Sequence, residues 1–262
     1  MNDPNTWVFL RGLARESRHW GSFLAAFKKA LPDSQVITLD LPGNGQLNQQ
    51  PSPLNIQDMV ANCRVDLALQ DIKPPYQLLA MSMGGMVAVA WSQTYPQEIA
   101  AQVLINTSMR PFSPFYQRLR QQNYLQLLKL LLGRASPETW ERTILEITSN
   151  RSIDDVLPVW LALRQTHPVA SANVLRQLIA AARFSAGQQA PSAPTLILAS
   201  LQDRLVAVAC SQNLAQRWVF PLRLHPSAGH DLTLDDGPWV ALQVSHWRNR
   251  LLNTQHPEND TL

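Results

Sequence analysis

The sequence predicts an α/β domain in which a mostly parallel sheet is flanked by helices and carries a helical insertion. Three observations predict it. Six short apolar runs recur along the chain at 7–10, 36–39, 76–80, 103–105, 195–199 and 222–224. Most are continuously apolar rather than alternating, as expected of strands covered on both faces in a parallel sheet. Helical patterns separate them, except between residues 109 and 190, where no strand candidate occurs.

The elements follow in order. After the first run comes a helix candidate at 17–31, then the second run, then a helix at 56–70. The third run leads into a buried-looking helix at 83–95, and the fourth ends near Asn106. Next come helical stretches at 114–132, 137–148, 153–164 and 171–184, punctuated by Pro111, Pro114, Pro137, Pro158 and Pro168. Proline starts or stops helices, so these boundaries are well marked. Pro191 and Pro194 lead into the fifth run, which is followed by a helix at 206–217, the last run and a helix at 239–252. Strand–helix alternation of this kind builds right-handed crossovers. The expected division is a core of residues 1–108 and 191–262 and a helical cap of residues 109–190.

Composition narrows the function classes. The chain has 262 residues, 45% apolar and 16% charged, which is enough for a large core and unlike a disordered segment. The net charge is +3 and the basic residues are scattered, so no nucleic-acid stripe is read. Cys63 and Cys210 are too few for a disulfide framework and lack neighbours at metal-ligand spacing; both are read as buried thiols, with no metal and no organic cofactor. The glycines at Gly43 and Gly45 lack the third, helix-opening glycine of a dinucleotide loop. No run approaches the roughly 20 apolar residues of a membrane span, and no signal segment is read, so the expectation is a cytoplasmic protein, monomeric or homodimeric.

The segment "YQLLAMSMGGMVAVAW" carries the chemistry. An apolar strand runs into Ser82 and a helix begins at once. Small residues two before and two after, Ala80 and Gly84, let strand and helix approach closely. The hydroxyl is then presented at the carboxyl edge of the sheet beside a helix N-terminus. Ser-x-Gly by itself is a weak pattern, and a serine merely capping a helix is the alternative; the strand-to-helix context gives it weight.

With these residues in view, the chain resembles the α/β-hydrolase family, specifically its small capped, esterase-like members. The resemblance rests on "WVFLRGLARESRHW", "LDLPGNGQ", "LLAMSMGGMVA", "LILASLQDRLV" and "HPSAGHDLTLDDGPWV", which occur in the family's order. It implies the α/β-hydrolase fold with the cap inserted after the fourth strand. It specifies fold and triad, not substrate.

A serine hydroxyl needs a base, and the base needs an acid that fixes its tautomer. Among six histidines, His230 sits in "SAGHD" just after the last strand, where an imidazole reaches over the sheet edge. Asp203 in "SLQDRLV" occupies a position that resembles the family's acid turn. The other position the family uses reads "LINTSMR" here and offers no carboxylate. Asp231, Asp235 and Asp236 read as loop and helix-capping residues, and Asp40 as a turn residue. The expected oxyanion donors are the backbone N–H groups of Leu13 and Met83.

One departure stands out. Arg11-Gly12 replaces the His-Gly that most relatives carry. Gly12 lets the loop pass close to the nucleophile. Arg11 either bonds loop groups structurally or faces the pocket and favours an anionic substrate. The insertion supplies large apolar side chains, among them Phe112, Phe115, Tyr116, Tyr124, Leu127, Leu128, Leu131, Trp140, Trp160 and Phe184, some for its own core and some to roof an apolar pocket. Arg110, Arg118, Arg120 and Lys129 are read as solvated helix surface or, alternatively, as a reception for a carrier or an anionic head group. The expected activity is hydrolysis of carboxylic esters or thioesters of a small apolar acyl substrate through Ser82, His230 and Asp203. The alternatives are a non-ester reaction of the same triad (C–C hydrolysis, elimination or perhydrolysis) and a catalytically weak ligand-binding homologue.

Overall fold

The computed structural model describes residues 5–133 and 135–255, the side chains of the last two excepted. Six strands form one sheet: β1 (Thr6–Leu10), β2 (Gln35–Leu39), β3 (Tyr76–Met81), β4 (Ile99–Ile105), β5 (Thr195–Ser200) and β6 (Leu222–His225). Their spatial order is β2-β1-β3-β4-β5-β6, and every adjacent pair is parallel. All six apolar runs therefore became strands.

The continuous apolarity has the expected cause. In β1, Val8 and Leu10 pack to one side and Trp7 and Phe9 to the other. In β3, Leu78 and Ala80 face the first side and Leu79 and Met81 the second. The first side is covered by α2 (Ile56–Leu69), α3 (Met83–Thr94) and α9 (Ala209–Trp218), through Met59, Trp91 and Leu214. The second is covered by α1 (Phe23–Ala30) and α10 (Leu232–Gln255), through Phe23, Phe27, Val244 and Trp247. With both faces buried, a strand has no position where a polar side chain meets water. The edge strands β2 and β6 are only partly buried.

Three helices depart most from the sequence expectation. The predicted 17–31 helix is a 3₁₀ turn, Ser17–Trp20, and then α1, separated by Gly21 at φ 48°. A residue in that region breaks the helical path. The predicted 114–132 helix is divided into α4 (Phe115–Arg118), a 3₁₀ turn at Gln121–Asn123 and α5 (Tyr124–Leu132). Arg120 between them is extended, its N–H donating to Leu205 O and its side chain to Asp203 O, so tertiary bonds outweigh helix propensity there. The last helix starts at Leu232, ahead of the expected 239, and bends at Asp236, just before Gly237-Pro238. Residues 256–262 of the polar tail lie outside the described residues.

Between β4 and β5 the chain runs through α4, α5, α6 (Pro137–Thr148), α7 (Ile153–Thr166) and α8 (Ser171–Arg183). It leaves and returns side by side, with an isolated bridge between Arg110 and Ser185. Two apolar clusters of its own, around Leu157 and Trp160 and around Leu130, Trp140 and Val174, hold these helices together.

The order of strands reverses between β1 and β3, since β2 lies on the far side of β1. The carboxyl ends of strands at such a switch point splay apart and leave a crevice. Residues 11–13 leave β1 there, and Ser82 leaves β3.

Candidate active site

Ser82 follows β3 directly and precedes α3. It holds φ 54° and ψ −119°, a region that a residue with a side chain enters only at a cost of about 1–3 kcal/mol. The surroundings impose it: Ser82 N–H donates to Ile105 O at 2.8 Å, and Ser82 O accepts from Thr107 Oγ1 at 2.8 Å and from Gly85 N–H at 2.9 Å. A Cβ on Gly84 would lie 2.5 Å from Leu10 O and 2.7 Å from Arg11 O. The second small residue of the turn is thus required by the end of β1, which α3 nearly touches.

The same close approach brings the β1 loop to the nucleophile candidate. A Cβ on Gly12 would lie 3.1 Å from Ser82 Cβ and 3.6 Å from Ser82 Oγ. Two N–H groups border this space. Met83 N–H is the first of α3, where no helical carbonyl reaches back to accept it. Leu13 N–H has no acceptor among the described residues. The next amide, Ala14 N–H, is fixed by Gln177 Oε1 of α8 at 2.8 Å, which holds the loop in place.

Across the crevice, His230 Nδ1 lies 2.7 Å from Asp203 Oδ2. Both side chains are buried, at 5% and 2% exposure, so little solvent screens the pair. Asp203 Oδ1 accepts the N–H groups of Leu205 and Val206, each at 2.8 Å, which fixes the carboxylate. His230 Nδ1 is thereby committed to Asp203 and Nε2 is the free ring nitrogen. Ser82 and His230 both line one cavity of about 1180 Å³. No Ser82–His230 hydrogen bond is present among the described residues; contacts of this kind commonly tighten only around substrate.

The cavity wall is mainly apolar and comes largely from the insertion. Of the large side chains singled out in the sequence, Phe115, Tyr124, Leu127, Leu128, Leu131 and Trp140 line it. Phe112 packs on Trp218, Phe184 joins the main core, Trp160 serves the insertion's own cluster, and Tyr116 is half exposed.

Residues 7–243 match the family model described as the alpha/beta hydrolase family. The chain belongs to the alpha/beta hydrolase family. Among its relatives, a Bacillus subtilis protein provisionally assigned as 2-succinyl-6-hydroxy-2,4-cyclohexadiene-1-carboxylate synthase is 31% identical over 116 residues, covering 41% of this chain and 38% of that protein. The matched stretches span only about a third of the curated relatives' own length, at 32% and 38%. Among solved structures, a thermophilic esterase from Thermogutta terrifontis has 20% identity and TM-score 0.73, over 94% of this chain and 89% of that one. A meta-cleavage product hydrolase from Pseudomonas fluorescens has 16% identity and TM-score 0.74, over 94% and 91%. At such identities the likeness is one of fold.

Arg11 departs from the family pattern, and the geometry selects between its two readings. Its guanidinium meets Asp231 with Nη2–Oδ2 at 2.5 Å and Nη1–Oδ1 at 3.3 Å, and Nη1 also donates to Thr233 Oγ1 at 3.1 Å. It stacks 4.7 Å over Trp20. The two side chains are 2% and 3% exposed. Although Arg11 borders the cavity, its charge is paired with Asp231, which favours the structural one of its two readings. Burial alone would raise the Asp231 carboxyl; the charge and hydrogen bonds of Arg11 outweigh it and hold the group below the usual carboxylate range. Arg11 stands just before Gly12-Leu13 and Asp231 just after His230, so one buried pair ties the β1 loop to the histidine loop. Asp231 also caps α10 through Leu234 N–H, as its capping expectation required.

The other carboxylates behave as structural groups. Asp235 accepts from Gly229 N–H, Ser149 Oγ and Asn150 N–H, joining the histidine loop to the end of α6. Asp40 binds Ser17 and Gln46 N–H. Cys63 and Cys210 are free and buried, and burial pushes their thiols up to about 12 and about 11, too high for a reactive thiolate at neutral pH.

Sequence reasoning missed Asn106. It follows β4 directly, at φ 46°, and is 2% exposed. Its Nδ2 donates to His230 O at 2.8 Å and Ser200 Oγ at 3.0 Å, while its Oδ1 accepts Ser200 N–H at 2.9 Å. The signal was present but read only negatively: the position lacked a carboxylate, yet asparagine is among the few side-chain residues that tolerate a left-handed conformation. Among the described residues, no three His, Cys, Asp or Glu side chains gather as a metal site, and no helix is long and apolar enough to cross a membrane.

Proposed function

We propose that this alpha/beta hydrolase cleaves carboxylic esters, or thioesters, of an apolar acyl substrate through an acyl-enzyme on Ser82. In this reading His230 Nε2 takes the Ser82 proton as Oγ attacks the acyl carbon. The N–H groups of Leu13 and Met83 hold the oxygen that becomes negative. The imidazolium then gives its proton to the departing alcohol or thiol as the acyl–O or acyl–S bond breaks. Water, deprotonated by the same histidine, releases the acid and restores Ser82. Asp203 keeps Nδ1 protonated and steadies the imidazolium. The insertion, residues 109–190, serves as a cap whose apolar side chains enclose the acyl chain.

One observation carries the reading: a strained Ser82 and an Asp203-bound His230 open into the same apolar cavity. The test is a panel of p-nitrophenyl esters and acyl thioesters. Ser82→Ala is expected to lower kcat by roughly four to six orders of magnitude with an unchanged melting profile. Wild-type-like turnover by that variant ends the proposal. The fold shared with a meta-cleavage product hydrolase keeps C–C hydrolysis as a second reading. Ser82-dependent turnover of a vinylogous diketone, with none of any ester, would select it.

A further inference from the structure

Among the described residues four arginines border the cavity, and they differ in how their charges are met. Arg11 is paired with Asp231, and Arg15 with Glu141 at 2.9 Å. Arg110 and Arg118 are paired with no carboxylate among the described residues. Each uses one nitrogen on the end of α8: Arg118 Nη2 donates to Ala181 O at 2.6 Å and Arg110 Nη2 to Arg183 O at 2.7 Å. A helix C-terminus offers about half a charge, so two full cations are not neutralised by it. Arg118 is mostly enclosed, and its Nε is buried without a partner. Burial, and then the neighbouring Arg110, pull its pKa down, the behaviour of a cation lacking its counterion. Asp231, the one carboxylate bordering the cavity among the described residues, is spent on Arg11.

Position places Arg118 on the cavity that Ser82 opens into. Arg118 Nη2 lies 4.0 Å from Met86 Sδ. Met86 follows Ser82 by four residues, so their backbones are about 6 Å apart along α3. Arg118, Met86 and Ser82 all line the same cavity, so an apolar side chain of α3 adjoins the guanidinium on the wall shared with the nucleophile candidate. A low-dielectric cleft with unmatched positive charge concentrates anions.

We propose that the cavity selects an ester carrying a carboxylate an apolar spacer away from the scissile carbonyl, with Arg118 as its seat and Arg110 as a second cation beside it. This deepens the ester-hydrolase reading and rests on it. Arg118 makes the selection through its free donors, while its contact with Ala181 O holds the guanidinium in place.

The test compares mono-p-nitrophenyl adipate with p-nitrophenyl hexanoate, which differ by one terminal carboxylate. Wild type is expected to favour the adipate at low salt, and the preference is expected to shrink as sodium chloride is raised. Arg118→Gln, which retains a donor for Ala181 O, is expected to lower the adipate-to-hexanoate ratio of kcat/KM about 10- to 100-fold, the worth of a hydrogen bond to a charged group. Arg118→Lys is expected to restore part of it. A wild-type preference for the hexanoate, or a ratio unmoved by Arg118→Gln, overturns the proposal and leaves Arg118 as a cap on α8. Titration calorimetry of the two esters into Ser82→Ala reads the same preference without turnover. Undiminished hydrolysis by Ser82→Ala would instead sink the nucleophile assignment, with the Arg118-dependent ratio still read in that variant.

Discussion

Arg11→Met isolates the buried ion pair that replaces the family's usual histidine. Methionine keeps an apolar stem against Trp20 but leaves Asp231 ionised and almost fully buried, at 3% side-chain exposure. Removing one partner of a buried pair costs about 3–5 kcal/mol, because the remaining charge has lost its compensation. Thr233 Oγ1 and Leu234 N–H still donate to Asp231 Oδ1, at 3.0 and 3.3 Å, which places the expected loss toward the lower end. At about 2–4 °C per kcal/mol for a chain of this size, the melting temperature falls by roughly 6–15 °C at pH 7.5. The pH dependence has a defined sign. In the native protein the Asp231 carboxyl is held below its unfolded value of about 3.9, so the pair stabilises fully above that pH and its contribution is lost as pH falls through the lower folded value. Without Arg11, burial is left to push the group above its unfolded value. The variant's folded state then binds the proton more tightly than its unfolded state, and its deficit narrows as pH falls from 7.5 toward 5. Urea and thermal melts at both pH values measure this. A loss below about 1 kcal/mol at pH 7.5, or an equal loss at both, would refute an ionised, Arg11-compensated Asp231. Adding Asp231→Leu is expected to recover part of the stability, since an apolar pair of similar volume removes the stranded charge.

Two further outcomes are expected. Asp203→Asn should reduce kcat by about four orders of magnitude while kcat responds little to added acetate, because the amide presents the wrong hydrogen-bonding partner to His230 Nδ1; retention of a tenth of the wild-type rate would remove Asp203 from the triad. Asn106→Ala should strand buried Ser200 N–H and release His230 O, with about 1–3 kcal/mol of stability lost and a fall in kcat rather than a rise in KM, measured by steady-state kinetics beside urea melts; Asn106→Asp, which keeps the acceptor for Ser200 N–H but loses the donor to His230 O, should retain more stability than activity.

The sequence by itself determined the sheet and the turn that carries Ser82. The four central strands are covered on both faces and are mostly apolar, and the partly buried edge strands β2 and β6 keep short apolar runs, so all six were visible; a serine between a strand, small residues and a helix also leaves a local pattern. The contact between Asp203 and His230 was legible because each follows a late strand in a short loop, where chain order restricts what can reach the sheet edge. The partner of Arg11 had to wait for the tertiary structure, since an ion pair between Arg11 and Asp231 spans 220 positions and has no local signature. So did the role of Asn106, whose bonds reach Ser200 and His230, and the division of the insertion's aromatic side chains between its own clusters and the cavity. Local rules act over a helical turn or a strand. Which charges end up compensated, and which are left facing the cavity at Arg110 and Arg118, depends on how distant segments are brought together.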